Sequence, residues 1–181
     1  MAELDELAEL GAPLLALIGP PAAGKSRIGK RAARALGVPF IDTDRLVSAE
    51  HGPIPKIFAE QGEARFRELE AAAVLAALGR RAVVSLGGGA VMTSSVAQAL
   101  SEHPVVLLTV SPDAASARLD PETRPLVRDG IGAWVALVEQ RMPTYERLAD
   151  AQWDTSVRPI DMIAAEIAQW VRTRGTTGAE A

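Results

Sequence analysis

Residues 19–26, with the sequence GPPAAGKS, carry the residue types that bind a chain of phosphates. They fit the pattern G-x-x-x-x-G-K-[ST], in which glycines let backbone N–H groups converge on phosphate oxygens. In such a loop the lysine reaches the outer phosphates and the hydroxyl ligates Mg²⁺. An apolar run precedes the segment and an amphipathic helical pattern follows it, which is the context that phosphate binding requires. The sequence therefore predicts a nucleotide site formed by Gly19, Ala22, Ala23, Gly24, Lys25, Ser26 and the adjoining Arg27.

Two carboxylates, Asp42 and Asp44, follow the next predicted strand. Residues two apart in an extended segment project to the same side, so both can face the carboxyl edge of a sheet, where ligands bind. One alternative is structural, with Asp44 capping a helix that begins at Arg45. The phosphate loop favours a catalytic site instead, in which one carboxylate serves a metal and the other an acceptor hydroxyl.

Three consecutive glycines, residues 87–89, follow a further predicted strand. Three residues without Cβ lose more entropy on folding than a turn requires, so we expect the backbone to approach another group closely there. A tight turn is the alternative.

Three arginines, Arg67, Arg124 and Arg141, each lie in a short polar context. A single arginine of this kind is usually solvated, but the three together predict an anionic substrate, since a guanidinium binds carboxylate or phosphate through two hydrogen bonds.

Apolar runs and helical periodicities must position these residues. Apolar runs predict strands at residues 14–18, 38–41, 82–86 and 105–110, and residues 152–155 are a candidate for a last short strand. A 3–4 spacing of apolar residues predicts helices after Ser26, over 63–78, 94–100 and 134–141, and from near Pro159. Alternating strands and helices indicate an α/β fold with a parallel sheet covered on both faces.

The composition favours one globular domain and excludes several classes of protein. The chain has 181 residues, a net charge of −4 and no cysteine, so thiol nucleophiles, thiolate metal sites and disulfides are absent. The acidic balance argues against nucleic acid binding. The acidic first residues argue against a targeting peptide, and the lack of a long apolar run argues against a membrane span. We expect no catalytic role for His51 or His103.

Taken together, the motifs resemble those of the shikimate kinases, over residues from about 14 to 170. The segments that carry the resemblance are the phosphate loop and residues 40–44, 57–70, 86–91, 124–126 and 141–145. The resemblance implies a three-layer α/β/α fold with a five-stranded parallel sheet, of the P-loop nucleoside monophosphate kinase type. It also implies transfer of the γ-phosphoryl of ATP to the 3-hydroxyl of shikimate.

The same resemblance implies a role for each candidate residue. Lys25 and the loop amides would hold the phosphates, and Ser26 and Asp42 would serve Mg²⁺. Asp44 would orient or deprotonate the attacking hydroxyl, while Arg67 and Arg141 would bind the shikimate carboxylate. The shikimate ring would lie against Gly88 and Gly89. Arg124 would be catalytic, on a lid of about residues 118–132. Arg118 would stack on adenine, and Arg158 would make a second nucleotide contact.

We divide the chain into a polar extension (residues 1–12), a single kinase domain (13–174) and a flexible tail (175–181). We expect a cytoplasmic monomer that binds neither nucleic acid nor membranes. Two alternatives stay open on the sequence. The chain could be a kinase of the same fold that acts on gluconate or on a shikimate-like cyclitol acid, or a nucleotide-binding module without activity.

Overall fold

A five-stranded parallel sheet lies at the centre of the molecule. The computed structural model describes residues 9–119 and 130–177, with side chains up to Arg174. The strands are β1 (Leu15–Ile18), β2 (Phe40–Asp42), β3 (Val83–Ser85), β4 (Val105–Thr109) and β5 (Ala151–Asp154). Their order in the sheet is β2-β3-β1-β4-β5, and every pairing is parallel. The predicted fold class is confirmed.

In the described residues, seven helices connect the strands and cover the sheet. They are α1 (Lys25–Leu36), α2 (Thr43–His51), α3 (Ile54–Leu78), α4 (Ser94–Leu100), α5 (Pro112–Ser116), α6 (Ile131–Leu148) and α7 (Ile160–Thr177), with a 3₁₀ turn at Ala90–Met92. Because parallel strands need crossover connections, helices lie on both faces of the sheet. The carboxyl ends of β1, β2 and β3 therefore meet at one edge, where the candidate site lies.

The two faces of the sheet form two separate apolar cores. Ala16 and Ile18 of β1 pack on one side with residues of α3 and α4, and Leu15 and Leu17 pack on the other with residues of α1 and α7. All four β1 side chains are buried. This period-2 division explains why the strand is a continuous apolar run, as a strand buried on both faces must be.

Three helices differ from the sequence prediction at their ends. The segment α3 begins at Ile54, but Gly62 interrupts it with φ 82° and ψ 171°, so the predicted helix from residue 63 corresponds to its second part. Helix α6 extends the predicted 134–141 helix in both directions and continues through Pro143. Helix α7 runs to Thr177, past the residue at which the tail was predicted to begin.

The predicted N-terminal extension is partly described. Residues 9–11 pair with the segment that leads into β3, through Arg81 N–H to the Glu9 carbonyl (2.9 Å) and Gly11 N–H to the Gly79 carbonyl (3.0 Å). Most of the predicted lid, including Arg124, lies outside the described residues. In the ranges 9–119 and 130–177, every helix is too short or too polar to cross a bilayer.

Candidate active site

The phosphate loop joins β1 to α1 in a strongly curved backbone path. Gly19 has φ 136°, and a Cβ there would overlap the carbonyl oxygen of Leu108 on β4. Gly24 has φ 81° and is the N-cap of α1. Ala22 has φ 68°, in the left-handed region that residues with a Cβ rarely adopt. The loop leads directly into the N-terminal end of α1, where the helix dipole favours an anion.

Several donors hold the carbonyl groups of the loop. The Lys25 ammonium donates to the carbonyls of Gly19 (2.7 Å) and Pro20 (3.0 Å). The indole N–H of Trp134 donates to the Pro21 carbonyl (3.1 Å), and Arg118 Nη1 donates to the Ala22 carbonyl (3.3 Å). The carbonyl oxygens of four successive residues are engaged in this way, and the Ala23 N–H closes a turn by donating to the Pro20 carbonyl (3.3 Å).

Ser26 and Asp42 form a pair of oxygen donors beside the loop. The Ser26 hydroxyl donates to Asp42 Oδ2 at 2.6 Å, and Asp42 Oδ1 accepts the backbone N–H of Arg45 at 3.4 Å. Asp42 is therefore the N-cap of α2, which begins at Thr43. The alternative in which Asp44 caps a helix from Arg45 is wrong. Asp44 lies in the first turn of α2, so the two carboxylates follow the end of a strand rather than sharing an extended segment.

The glycine run 87–89 touches a different side chain at each position. A Cβ on Gly87 would lie 2.5 Å from Asp44 Oδ1 and would overlap the Glu70 carboxylate. A Cβ on Gly88 would lie 3.3 Å from the ring of Pro21, and one on Gly89 would lie 2.7 Å from the guanidinium carbon of Arg67. The predicted close approach of the backbone is confirmed at all three positions.

Arg67 is held on α3 by two glutamates. Its Nη1 donates to Glu70 at 2.6 Å, and its Nη2 donates to Glu63 at 3.0 Å. Glu70 has a side chain only 2 % exposed. Burial raises the pKa of Glu70, although Arg67 opposes this shift. Burial also acts to lower the pKa of Arg67, but the charge and hydrogen bond of Glu70 outweigh it and leave that pKa above its ordinary value.

Arg141 and Tyr145 on α6 complete this charged cluster. Arg141 is buried, and its positive charge acts to lower the pKa of Glu70. The Tyr145 hydroxyl donates to the Gly88 carbonyl. Burial raises the pKa of Tyr145 to about 12, against the opposing charge and hydrogen bond of Arg141. Helix α6 thus brings a cation and a neutral hydroxyl to the glycine run and to the carboxylate that holds Arg67.

A cleft of about 320 Å³ connects the phosphate loop with the two aspartates. The described residues that line it include most of the predicted nucleotide and metal residues: Ala22, Ala23, Gly24, Lys25, Ser26, Arg27, Asp42, Asp44, Gly88 and Arg118. The phosphate loop, the oxygen-donor pair and Asp44 therefore surround one connected space at the carboxyl edge of the sheet. Arg67 and Arg141 do not line this cleft, and the glycine run connects it with Arg67, through Gly88 in the lining and Gly89 beside the guanidinium.

Comparison with known proteins identifies the family. The family model for shikimate kinase matches residues 21–172. The shikimate kinase of Corynebacterium efficiens is 42% identical over 86% of this chain and 94% of its own length. That of Mycobacterium avium is 45% identical over 81% of this chain and 86% of its own. The chain belongs to the shikimate kinase family. It is an ATP-dependent kinase that transfers phosphate to an alcohol group.

Solved structures agree with this assignment. Shikimate kinase from Acinetobacter baumannii in complex with shikimate has a TM-score of 0.85 and 27% identity, covering 96% of this chain and 97% of that one. A gluconokinase from Sinorhizobium meliloti has a TM-score of 0.60 at 20% identity over 92% of this chain and 94% of its own, a likeness of fold alone. Shikimate kinase is therefore supported over the gluconate alternative.

The two arginines predicted to contact the nucleotide, Arg118 and Arg158, lie in different places in the kinase. Arg118 lines the cleft and reaches the segment after β5, donating to the Thr155 (2.8 Å) and Ser156 (3.1 Å) carbonyls. Arg158 instead pairs with Glu166 on α7, which raises the pKa of Arg158. Arg158 does not line the cleft formed by the described residues. Its nucleotide contact, like that of Arg124, stays a prediction.

Sequence reasoning assigned no role to three residues of this shikimate kinase site. Glu70 lies three residues after Arg67, so a helical i,i+3 pairing could have indicated it. Tyr145 lies four residues after Arg141 and therefore on the same helix face. Trp134 donates to a residue 113 positions away, and no local pattern in the sequence indicates that contact.

Proposed function

We propose that the enzyme transfers the γ-phosphoryl of ATP to the 3-hydroxyl of shikimate, giving shikimate 3-phosphate and ADP. The single observation that carries this proposal is the position of the glycine run. Gly88 adjoins the phosphate loop at Pro21, and the next residue adjoins Arg67. An acid bound against these glycines would have its carboxylate near a guanidinium and its ring near the phosphates. The solved relative from Acinetobacter baumannii, described as a complex with shikimate, supports the choice of acid.

The phosphate loop would bind the nucleotide through the N–H groups of Ala22 and Gly24. Ala23 lines the same cleft, and its N–H closes the loop turn onto the Pro20 carbonyl. Lys25, which now bridges two loop carbonyls, would supply positive charge to the outer phosphates. Arg27 and Arg118 line the same cleft and would contact the nucleotide at its edges. Arg124 and Arg158 are proposed as further nucleotide contacts on the family resemblance alone, with Arg124 also proposed to neutralise charge that develops during transfer.

Ser26 and Asp42 fit Mg²⁺, which we propose as the metal. Their side-chain oxygens lie 2.6 Å apart, and hard oxygen donors are the ligands that Mg²⁺ prefers. In the described part of the chain, no cluster of three carboxylates or histidines could form a complete protein cage. Such a site suits a metal that keeps waters and binds substrate phosphates. When bound, Mg²⁺ would neutralise phosphate charge between donor and acceptor.

Asp44 would accept a hydrogen bond from the attacking hydroxyl and orient it toward the phosphorus. Asp44 lines the cleft together with Lys25 and Ser26, which supports its position between acceptor and donor. The hydroxyl oxygen would form a bond to the γ-phosphorus, the bond to the bridging oxygen of ADP would break, and the hydroxyl proton would pass to Asp44 or to solvent. Because phosphoryl transfer depends mainly on position and charge, these groups suffice.

Arg67 and Arg141 would bind the carboxylate of the acid. Both cations act on the Glu70 carboxyl, which supports placing them around one small volume. Glu70 would act as a positioning residue, because its buried carboxylate fixes one edge of the Arg67 guanidinium. We further propose that the enzyme is cytoplasmic, where its donor ATP is available, and that it is a monomer with no nucleic acid or membrane partner.

The experiment that tests the proposal is a coupled assay of ADP release with shikimate, with gluconate and with no acceptor. We expect shikimate to stimulate ADP release far above the rate without acceptor. Stimulation by gluconate alone would contradict the proposed substrate and leave the kinase assignment intact. Phosphorus NMR of the product would check the position of the new phosphate, and a phosphate on another hydroxyl would contradict transfer to the 3-position.

A further inference from the structure

The phosphate loop contains a strained residue. Ala22 has φ 68°, and it is the non-glycine residue with a positive φ in the described part of the chain. A Cβ makes this conformation unfavourable, so contacts elsewhere must maintain it. Within the loop, the Ala23 N–H donates to the Pro20 carbonyl at 3.3 Å and closes a turn that contains Ala22. Further contacts to this turn come from outside the loop.

Hydrogen bonds reach the carbonyls on both sides of the strained φ. The Pro21 carbonyl accepts from Trp134 Nε1 at 3.1 Å, and the Ala22 carbonyl accepts from Arg118 at 3.3 Å. Trp134 is 1% exposed, in the first turn of α6, and packs in the same apolar core as Ala23 and Ile28. A buried indole has two χ angles and a fixed N–H direction, which makes it a rigid donor. The peptide between Pro21 and Ala22 is therefore fixed in orientation.

We propose that Trp134 is a positioning residue for nucleotide binding. Its indole N–H holds the Pro21 carbonyl away from the cleft, keeps Ala22 left-handed, and so aims the following loop N–H groups at the phosphates. Trp134 touches no substrate and acts only through the loop backbone. The inference rests on the proposed role of that loop in binding the nucleotide.

The first test replaces the donor and keeps an aromatic ring. Trp134→Phe should weaken ADP affinity, measured by calorimetry, roughly 5- to 150-fold, the range expected when a buried acceptor loses its partner. The KM for ATP should rise similarly, and the KM for shikimate should change less than about twofold. Trp153→Phe is the matched control, because its indole N–H donates to Glu166 at 2.9 Å, and Trp153 does not line the cleft. We expect it to leave both KM values unchanged.

Two results would overturn the proposal. One is a folded Trp134→Phe protein that binds ADP as tightly as the parent. The other is an equal rise in both KM values, which would indicate a general structural role for the indole.

The second test addresses the strained residue itself. Glycine adopts a positive φ without the penalty that alanine incurs, so Ala22→Gly removes the need for an external tether. In the Ala22→Gly background, Trp134→Phe should weaken ADP binding by at most about a third of the factor by which it weakens ADP binding in the parent. The same fold-change in both backgrounds would show that the hydrogen bond does not maintain the conformation of Ala22.

A third measurement needs no change at Trp134. The chain has three tryptophans, so ¹⁵N-tryptophan labelling gives three indole signals, assigned with Trp153→Phe and Trp170→Phe. Adding ADP should shift the Trp134 signal more than the other two, and its N–H should exchange slowly with solvent. A Trp134 signal that ADP leaves in place would overturn the inference. If ADP does not bind the unmodified protein, the proposed function itself fails.

Discussion

Gly89→Ala offers a direct test of where the substrate acid binds. Gly89 has φ −100° and ψ −11°, which alanine adopts readily, so the substitution changes only the space available. The new Cβ would lie 2.7 Å from both Cζ and Nη2 of Arg67, well inside van der Waals contact. The end of a long side chain yields more easily than the backbone, so the guanidinium would move away from the glycine run.

The size of the effect follows from the interaction that is lost. A charge-assisted hydrogen bond contributes about 1.5–3 kcal/mol, so losing the contact to the carboxylate should raise the KM for shikimate roughly 10- to 150-fold. The phosphate loop adjoins Gly88 rather than Gly89, and we expect the KM for ATP to change less than about threefold. Initial rates from the coupled ADP assay, with each substrate varied at saturation of the other, measure both values.

Gly79→Ala is the matched control. Gly79 has φ −83°, and the nearest atom to a Cβ there, the Ala76 carbonyl oxygen, lies at 3.4 Å. It precedes β3 and so lies at the edge of the sheet opposite the cleft. An unchanged KM for shikimate in a folded Gly89→Ala protein would refute the placement of Arg67 in the acid pocket, as would equal rises in both KM values.

Three further predictions concern neighbouring groups. Arg67→Ala should raise the KM for shikimate at least tenfold more than the KM for ATP. The control, Arg65→Ala, removes an exposed arginine paired with Glu68 on the same helix and should change neither KM. Equal effects of the two substitutions would contradict the proposal that Arg67 binds the carboxylate of the acid. Asp42→Asn keeps a good N-cap for α2 but removes the charge beside Ser26. The Mg²⁺ concentration for half-maximal rate should therefore rise roughly tenfold, while the melting temperature changes little. An unchanged Mg²⁺ requirement would contradict a role of Asp42 in the metal site. Burial raises the Tyr145 pKa from 10.0 to about 12, so the folded state holds that proton more tightly than the unfolded state does. The free energy of unfolding, measured by urea titration, should therefore fall between pH 10 and 12. The fall should be smaller in Tyr145→Phe, and an identical pH dependence in the two proteins would contradict the assignment.

The sequence was sufficient to predict the sheet and the phosphate loop. Apolar runs such as residues 14–18 and 105–110, bounded by glycine or proline, are typical of strands inside a covered parallel sheet, and their ends were correct to within one or two residues. The phosphate loop is local, because its glycines, lysine and serine act within eight residues of chain. The position of the glycine run was also predictable, since a backbone without Cβ indicates a close contact before the contacting residue is known.

Contacts between distant segments could not be predicted in the same way. The sequence suggested that Asp42 and Asp44 share an extended segment. Instead, the Arg45 N–H donates to the Asp42 carboxylate, so α2 begins at Thr43 and Asp44 lies in its first turn. Helix α6 continues through Pro143, where sequence rules favour a break, because Trp134 and Tyr145 both pack in the core. The pairing of Glu70 with Arg67 depends on a buried environment that exists only after the helix packs against the sheet.

The glycine run also limits how the enzyme could be redesigned. Each of its three positions would bring any added side chain against a different partner: the carboxylates of Asp44 and Glu70, the Pro21 ring, and the Arg67 guanidinium. A library aimed at accepting bulkier acids should therefore leave residues 87–89 constant and vary the inward faces of α3 and α6. Mutational tolerance in such a library should be lowest in the segment with the smallest side chains.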